Sequence, residues 1–273
     1  MTLATPLAIV SAMPEELAAL LPALQNARTS THGGRVFHHG HMAGRAVVLV
    51  LAGIGKVAAA ATTTLLMDRL QACAVLFTGV AGGLGEGVNV GDVVVGTSFL
   101  QHDMNASPIF PRWQIPGTGR SHFDADVAMS ACLVRAATQG LRSRQSGHSA
   151  RAAFGFAQAR VHSGLIVSGD RFVSTAAEST QLKADLPQAL AVDMESAAVA
   201  QVCADFKRPL AVLRCVSDRA DDHAHVDFPR YLNDVAAPLA RDVVLAALVL
   251  MSAPRGPAAP ADRKSTRLNS SHG

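Results

Sequence analysis

ALAVDMESAAVAQVCADF, residues 189–206, reads as a short buried strand, Ala189 to Val192, that runs through Asp193-Met194-Glu195 straight into a helix, Ser196 to Phe206. Its four apolar residues are too few for a helix, and the Ala-rich segment that follows has helical periodicity. A strand that ends in a carboxylate and feeds a helix is one unit of an α/β fold.

The same unit recurs on either side. Upstream, Leu7 to Val10 is an apolar run that stops at Ser11-Ala12-Met13, and Pro14-Glu15-Glu16 then opens a helical pattern. Proline costs little in a first helical turn, and acidic residues there suit the positive end of the helix dipole. Helix-end pairing is therefore the plain account of Glu16, and a functional one needs further support. Ala46 to Leu51 is a second strand, and the glycine turn Gly53-Ile54-Gly55-Lys56 leads from it into a helix over Val57 to Leu70. That turn matches neither a phosphate loop nor a full dinucleotide fingerprint. Ala74 to Phe77 leads into Thr78-Gly79-Val80-Ala81-Gly82-Gly83, where glycines allow either close backbone approach to a ligand or a tight crossover turn. Val93 to Val95 continues the β pattern after Gly91-Asp92.

Downstream, the irregular, proline-containing stretch from Gln101 to Gly119 carries the single tryptophan, Trp113. A loop of this length in a compact domain points to function or an interface. A helix is expected over Asp124 to Gln139, then a mobile polar connection through Gly155. Ala159 to Val167 is a strand ending in Ser168-Gly169-Asp170-Arg171-Phe172. Leu210 to Val216 is another, ending in Ser217-Asp218, and a last helix covers Pro229 to Met251.

Ligands of open α/β sheets bind outside the carboxyl ends of the strands. Glu16, Glu195 and Asp218 then share one rim, and three carboxylates at equivalent strand ends are harder to dismiss than one. A carboxylic acid can protonate a leaving group, a second carboxylate can take a proton from water on the opposite face, and a third can accept hydrogen bonds from sugar hydroxyls. Asp218, Glu16 and Glu195 fit these roles in that order. Arg214, four residues before Asp218 on the same strand, is expected to share its face and to hold Glu16 or the water, with a structural ion pair as the alternative. Phe172 and Phe228 follow strand ends and either stack on a base or belong to the core.

Composition narrows the classes. The chain has 273 residues, 49% hydrophobic and 16% charged, enough for one substantial core. A net charge of +3 with scattered arginines argues against nucleic acid as partner. The four cysteines lie far apart without a CxxC pair, which predicts buried thiols in a reducing compartment, no zinc and no metal. Without an apolar run of spanning length or a signal peptide, the protein is expected in the cytoplasm and off the membrane. Residues 1–251 are expected to form one domain, and 252–273 a disordered tail ending in a vector-like or adapter-like stretch.

The blocks AIVSAMPEEL, LAGIGKVAAA, FTGVAGGLGEGVNVGDVVV, SGLIVSGDRF, AVDMESAAVAQVC and VLRCVSDRADDHAH, in this order and spacing, resemble the 5′-methylthioadenosine/S-adenosylhomocysteine nucleosidases of the nucleoside phosphorylase superfamily. The resemblance implies a three-layer α/β/α sandwich around a mixed, distorted sheet. It also implies a homodimer whose loop 101–119 approaches the neighbouring pocket, and cofactor-free hydrolysis of methylthioadenosine, adenosylhomocysteine and 5′-deoxyadenosine to adenine and the substituted ribose. It assigns Asp218 as the acid, Glu16 as the water activator, Glu195 as the ribose acceptor and Arg214 to the same network. Met194 lies beside the ribose, Phe172 stacks on the base, and Val173 reads the adenine edge. Met13, Val80, Ala81, Gly82, Ser217 and Phe228 complete the expected substrate-binding set. Val80 replaces a serine found in many members, which removes a hydroxyl near Asp218. The alternatives are a phosphate-dependent phosphorylase, which SAMPEEL opposes with two glutamates at the anion position, another purine nucleosidase such as a futalosine hydrolase, and a non-catalytic nucleoside-binding module.

Overall fold

The apolar runs become strands of one ten-stranded sheet in a computed structural model, which describes residues 5–145, 158–219 and 228–252. At its centre β1 (Leu7–Ser11) lies between β4 (Arg45–Leu51) and β5 (Ala74–Gly83), parallel to both. On the other side β5 pairs in parallel with β10 (Leu210–Asp218), and β10 pairs antiparallel with β6 (Val93–Gln101). Next come β8 (Val161–Ser168), parallel to β6, and β9 (Ala189–Asp193), parallel to β8. A short β7 (His122–Asp124) pairs with β6.

The sheet is mixed, and half of it closes on itself. At Gly82↔Val192 and Gly83↔Ala191, β9 returns to pair antiparallel with β5. That closure gathers the carboxyl ends of β5, β8, β9 and β10. It also corrects the reading of Thr78 to Gly83 as a turn, because β5 runs through this segment. Gly79 is required by packing inside the protein: a Cβ there would lie 2.6 Å from Arg214 Nη1 and 3.2 Å from Glu16 Oε1.

Helices cover both faces. One is packed by α1 (Pro14–Leu20), α3 (Val127–Gln145) and the C-terminal stretch of α6 (Phe228–Tyr231), a π-helical turn (Leu232–Ala236) and α7 (Ala237–Ser252). The opposite face is packed by α2 (Lys56–Asp68) and α5 (Ser196–Asp205). A third apolar cluster joins Leu165 and Val167 of β8 to Leu182 of α4 (Ala176–Asp185), and reaches Val173 and Trp113. This is the expected three-layer sandwich.

Several boundaries differ from the sequence reading. The polar stretch before Ala46 is a hairpin, β2 (Gln25–His32) and β3 (Arg35–Met42), turning at Gly33-Gly34. It escapes an apolar-run search because β2 is an edge strand open to solvent along most of its length. The helix expected at Asp124 begins at Val127, with Asp126 accepting the Met129 N–H. Phe228 to Ser252 is, contrary to expectation, long and apolar enough by composition to cross a membrane, but half of its most apolar part is buried against the rest of the molecule. All four cysteines are free; Cys203 and Cys215 are buried, whereas Cys73 and Cys132 are partly exposed. The connection through Gly155 and the tail from 253 onward lie outside the described residues.

Candidate active site

Glu16 sits in the first turn of α1, where its two oxygens part company. Oε2 accepts the N–H groups of Ala12 and Met13 at 3.1 and 3.0 Å, closing the helix start much as a capping box does. Oε1 makes no close hydrogen bond among the described residues, although the Val80 N–H also acts on the carboxylate; it lies over Gly79, as does Arg214 Nη1, which makes no close hydrogen bond either. The helix-end account of Glu16 therefore explains one oxygen only. The residue is 2% exposed, and burial raises its pKa to about 7 against the opposing pull of the Met13 N–H, Arg214 and the N–H groups of Ala12 and Val80.

Arg214 on β10 is fully buried. Its Nε donates to Asp193 Oδ2 at 2.7 Å, its Nη2 donates to Ser196 Oγ at 3.0 Å and lies 3.9 Å from Glu195 Oε2, and its guanidinium stacks 4.0 Å from the centre of the Phe77 ring. Asp193 is the residue that sequence reasoning passed over. Ser168 Oγ donates to it at 2.5 Å, Ser196 Oγ also donates to it, and the N–H groups of Glu195 and Ser196 reach Oδ1. Burial alone would raise the Asp193 pKa, but Arg214 and the two hydroxyls outweigh it and hold the group ionised. With the arginine closest to Asp193, Glu195 bears the cost of burial and of its acidic neighbour, and its pKa rises to about 7.

Glu195 Oε1 accepts the Gly55 N–H at 2.9 Å, which ties the end of β9 to the glycine turn after β4. The next N–H, that of Lys56, donates to Asp170 Oδ1 at 2.7 Å. Two of the N–H groups at the start of α2, those of Gly55 and Lys56, are thus committed to carboxylates, which weighs against an anion-binding role for Gly53-Ile54-Gly55-Lys56.

Asp218 ends β10, 5% exposed. A register shift between Val216 and Asp218 breaks the alternation of the strand, so the expectation that Arg214 and Asp218 share a face by residue count does not hold. Arg214 turns to Asp193, and Asp218 faces the pocket. The hydroxyl lost at Val80 has a counterpart here: Ser217 Oγ donates to Asp218 Oδ2 at 2.8 Å and lies 3.4 Å from the Ala81 carbonyl.

These groups surround a cavity of about 450 Å³, a size suited to a nucleoside. Met13, Glu16, Val80, Ala81, Gly82, Phe172, Val173, Met194, Glu195, Ser217, Asp218 and Phe228 all line it. Of the expected set, Arg214 alone is beneath the wall. The cavity also takes in Ala12, Ile54, Arg171, Val192 and Asp193, which the sequence reading left out. Ile54 was visible as the apolar residue between two glycines. Arg171 turns outward to pair with Glu178. Phe172 is 42% exposed, at the mouth, whereas Val173 is buried.

A family model described as the phosphorylase superfamily matches residues 6–249. The chain is 36% identical over 231 residues to the 5′-methylthioadenosine/S-adenosylhomocysteine nucleosidase of Colwellia psychrerythraea, covering 84% of this chain and 89% of the relative. It is also 36% identical over 231 residues to the Bacillus subtilis protein of the same name, covering 84% and 93%. In structure it is similar to the Neisseria meningitidis nucleosidase of that name, solved in complex with methylthio-immucillin-A. That match has a TM-score of 0.79 and 33% identity, and covers 90% of this chain and all of that one.

Proposed function

We propose, for a chain that belongs to the 5′-methylthioadenosine/S-adenosylhomocysteine nucleosidase family of the phosphorylase superfamily, a division of labour among three carboxylates. The enzyme hydrolyses the N-glycosidic bond of methylthioadenosine and adenosylhomocysteine, releasing adenine and the 5-substituted ribose. As the bond breaks, positive charge grows on the sugar and negative charge on the departing purine. Asp218 donates a proton to the purine, held in orientation by Ser217. Glu16 Oε1 takes a proton from the attacking water, and Arg214, beneath the cavity wall, acts on that carboxylate from behind. Glu195 accepts the ribose hydroxyls, in a pairing that strengthens as the sugar becomes cationic. Met194 lies against the ribose, Phe172 covers the base, Val173 offers its backbone to the adenine edge, and Met13 and Phe228 face the thioether at the 5′ position.

The observation that carries this reading is a buried carboxylate oxygen and a buried guanidinium nitrogen, Glu16 Oε1 and Arg214 Nη1, both within 3.2 Å of where a Cβ on Gly79 would stand and neither making a close hydrogen bond among the described residues. A carboxylate with a pKa of about 7 beside a fixed guanidinium suits the taking of a proton from water near neutral pH. A phosphorylase would need free donors for its anion. Here the Gly55 and Lys56 N–H groups at the start of α2 are engaged by carboxylates, and Glu16 and Glu195 line the same cavity. Adenine release from methylthioadenosine, adenosylhomocysteine and 5′-deoxyadenosine, followed with and without phosphate, is expected to proceed at the same rate in both conditions. Release that requires phosphate would overturn hydrolysis, and tight binding without release would make the chain a binding module.

The assembly we propose is a homodimer. Ile54 at the cavity, Val57 one turn along and Ile109 in the loop 101–119 are 58%, 81% and 81% exposed, an apolar set that a second copy would cover. Light scattering is expected to give twice the chain mass, and a monomer at micromolar concentration would contradict it.

A further inference from the structure

Away from the cavity wall, a polar cluster of the described residues centres on Lys56. Its Nζ donates to Asp103 Oδ1 at 2.6 Å and to Gln101 Oε1 at 3.2 Å, and lies 3.9 Å from Asp170 Oδ2. Asp170 in turn accepts the Lys56 N–H through Oδ1 and donates its own N–H to Asp103 Oδ2 at 3.0 Å. Gln101 passes the connection on to Gln201 of α5 at 2.7 Å. The ammonium thus joins the segments that follow β4, β6 and β8 and the helix that follows β9. Its side chain is 17% exposed, although it never enters the cavity wall.

Two features tie this cluster to the site. The residue before Lys56 is Gly55, whose N–H holds Glu195 Oε1, and Asp170 lies two residues before Phe172. Gly55 has φ of +95°, and a Cβ there would lie 3.1 Å from Asp170 Oδ1, so the turn is shaped around that carboxylate. Asp103 is held below the usual carboxylate range: burial acts against this, but Lys56 and the Asp170 N–H outweigh it. Without the ammonium, two hydrogen-bonded carboxylate segments would face each other with no cation between them, and like charges at that range push apart.

We propose that Lys56 is a positioning residue for ribose recognition, which clasps Asp103 and Asp170 and so fixes the Gly55 N–H that aims Glu195. This rests on the reading of Glu195 as the acceptor of the ribose hydroxyls. A partly exposed ion pair contributes little to stability, so the effect falls on geometry, where a displacement of about 1 Å can cost on the order of a hundredfold in rate.

The test compares methylthioadenosine with its 3′-deoxy analogue in wild type, Lys56→Met, Lys56→Arg and Asp103→Asn. Wild type is expected to favour the intact ribose strongly. In Lys56→Met, kcat/KM for methylthioadenosine should fall about ten- to a hundredfold, while that for the 3′-deoxy analogue changes much less, so that discrimination collapses. Lys56→Arg, which keeps the charge, should restore most of it. Asp103→Asn, a near-isosteric change that preserves folding, should reduce discrimination in the same direction. Equal losses on both substrates, or full discrimination in Lys56→Met and Asp103→Asn, would overturn the role of Lys56. Absence of discrimination in wild type would instead overturn the reading of Glu195.

Discussion

Asp218→Asn is expected to lower turnover of methylthioadenosine by about two to four powers of ten, the usual range for loss of a general acid, while binding stays close to that of wild type. Asparagine matches aspartate in shape and keeps an oxygen that can accept the Ser217 hydroxyl, which lies 2.8 Å from Oδ2. The side chain is 5% exposed at the end of a strand paired with β5, so the fold has little reason to respond. What the amide lacks is a transferable proton. Steady-state kinetics beside calorimetric binding of the same nucleoside separates the two effects. Near-normal turnover would remove Asp218 from the chemistry, and loss of binding in step with turnover would make it a recognition residue.

Glu16→Gln is expected to reduce turnover on a similar scale, about two to four powers of ten, and to make the protein more stable at alkaline pH. Both follow from the same burial. In the wild type, protonation of Glu16 as pH falls through about 7 should remove the base and lower kcat. For stability the sign is opposite. The folded pKa is raised from 4.5 to about 7, so the folded state binds the proton more tightly than the unfolded chain does. The resulting stability is complete below the unfolded value of 4.5 and is lost as pH rises through 7. At pH above 7 the ionised carboxylate therefore costs about 3 kcal/mol, the free-energy equivalent of the gap between the folded and unfolded pKa values. Glutamine removes that cost. Urea denaturation at high pH should find the variant more stable by roughly this amount, with the gap closing toward pH 4. An unchanged difference across that range would mean that Glu16 is not held above its ordinary pKa, and unchanged turnover would return it to the helix end.

The parts of the fold that were legible in the sequence are those whose signal is local. Leu7 to Val10, Ala46 to Leu51 and Leu210 to Val216 are buried on both faces, so they read as unbroken apolar runs and appear as strands near the expected positions. The β2–β3 hairpin has one open edge and is hidden by its polarity, although Gly33-Gly34 marks its turn. Helix α4 carries a signal that a search for apolar runs does not use: Thr175 caps the Glu178 N–H, the spacing of a capping box. In the site, residues read from strand ends are brought to one cavity because β9 closes onto β5. Asp193 escapes sequence reasoning because its meaning is a contact with Arg214, 21 residues away on a strand that is not its neighbour. The shift at Ser217 is likewise invisible to residue counting.

The central claim is that Asp218 supplies a proton to the departing purine, and a change of leaving group tests it most directly. A p-nitrophenyl 5-methylthioriboside has the same sugar but an aryl oxide that departs without protonation. If Asp218 is the acid, Asp218→Asn should hydrolyse this compound within about tenfold of wild type while remaining slower by about two to four powers of ten on methylthioadenosine. An equal loss on both substrates would contradict the claim and leave Asp218 as a residue that shapes the site without protonating the base.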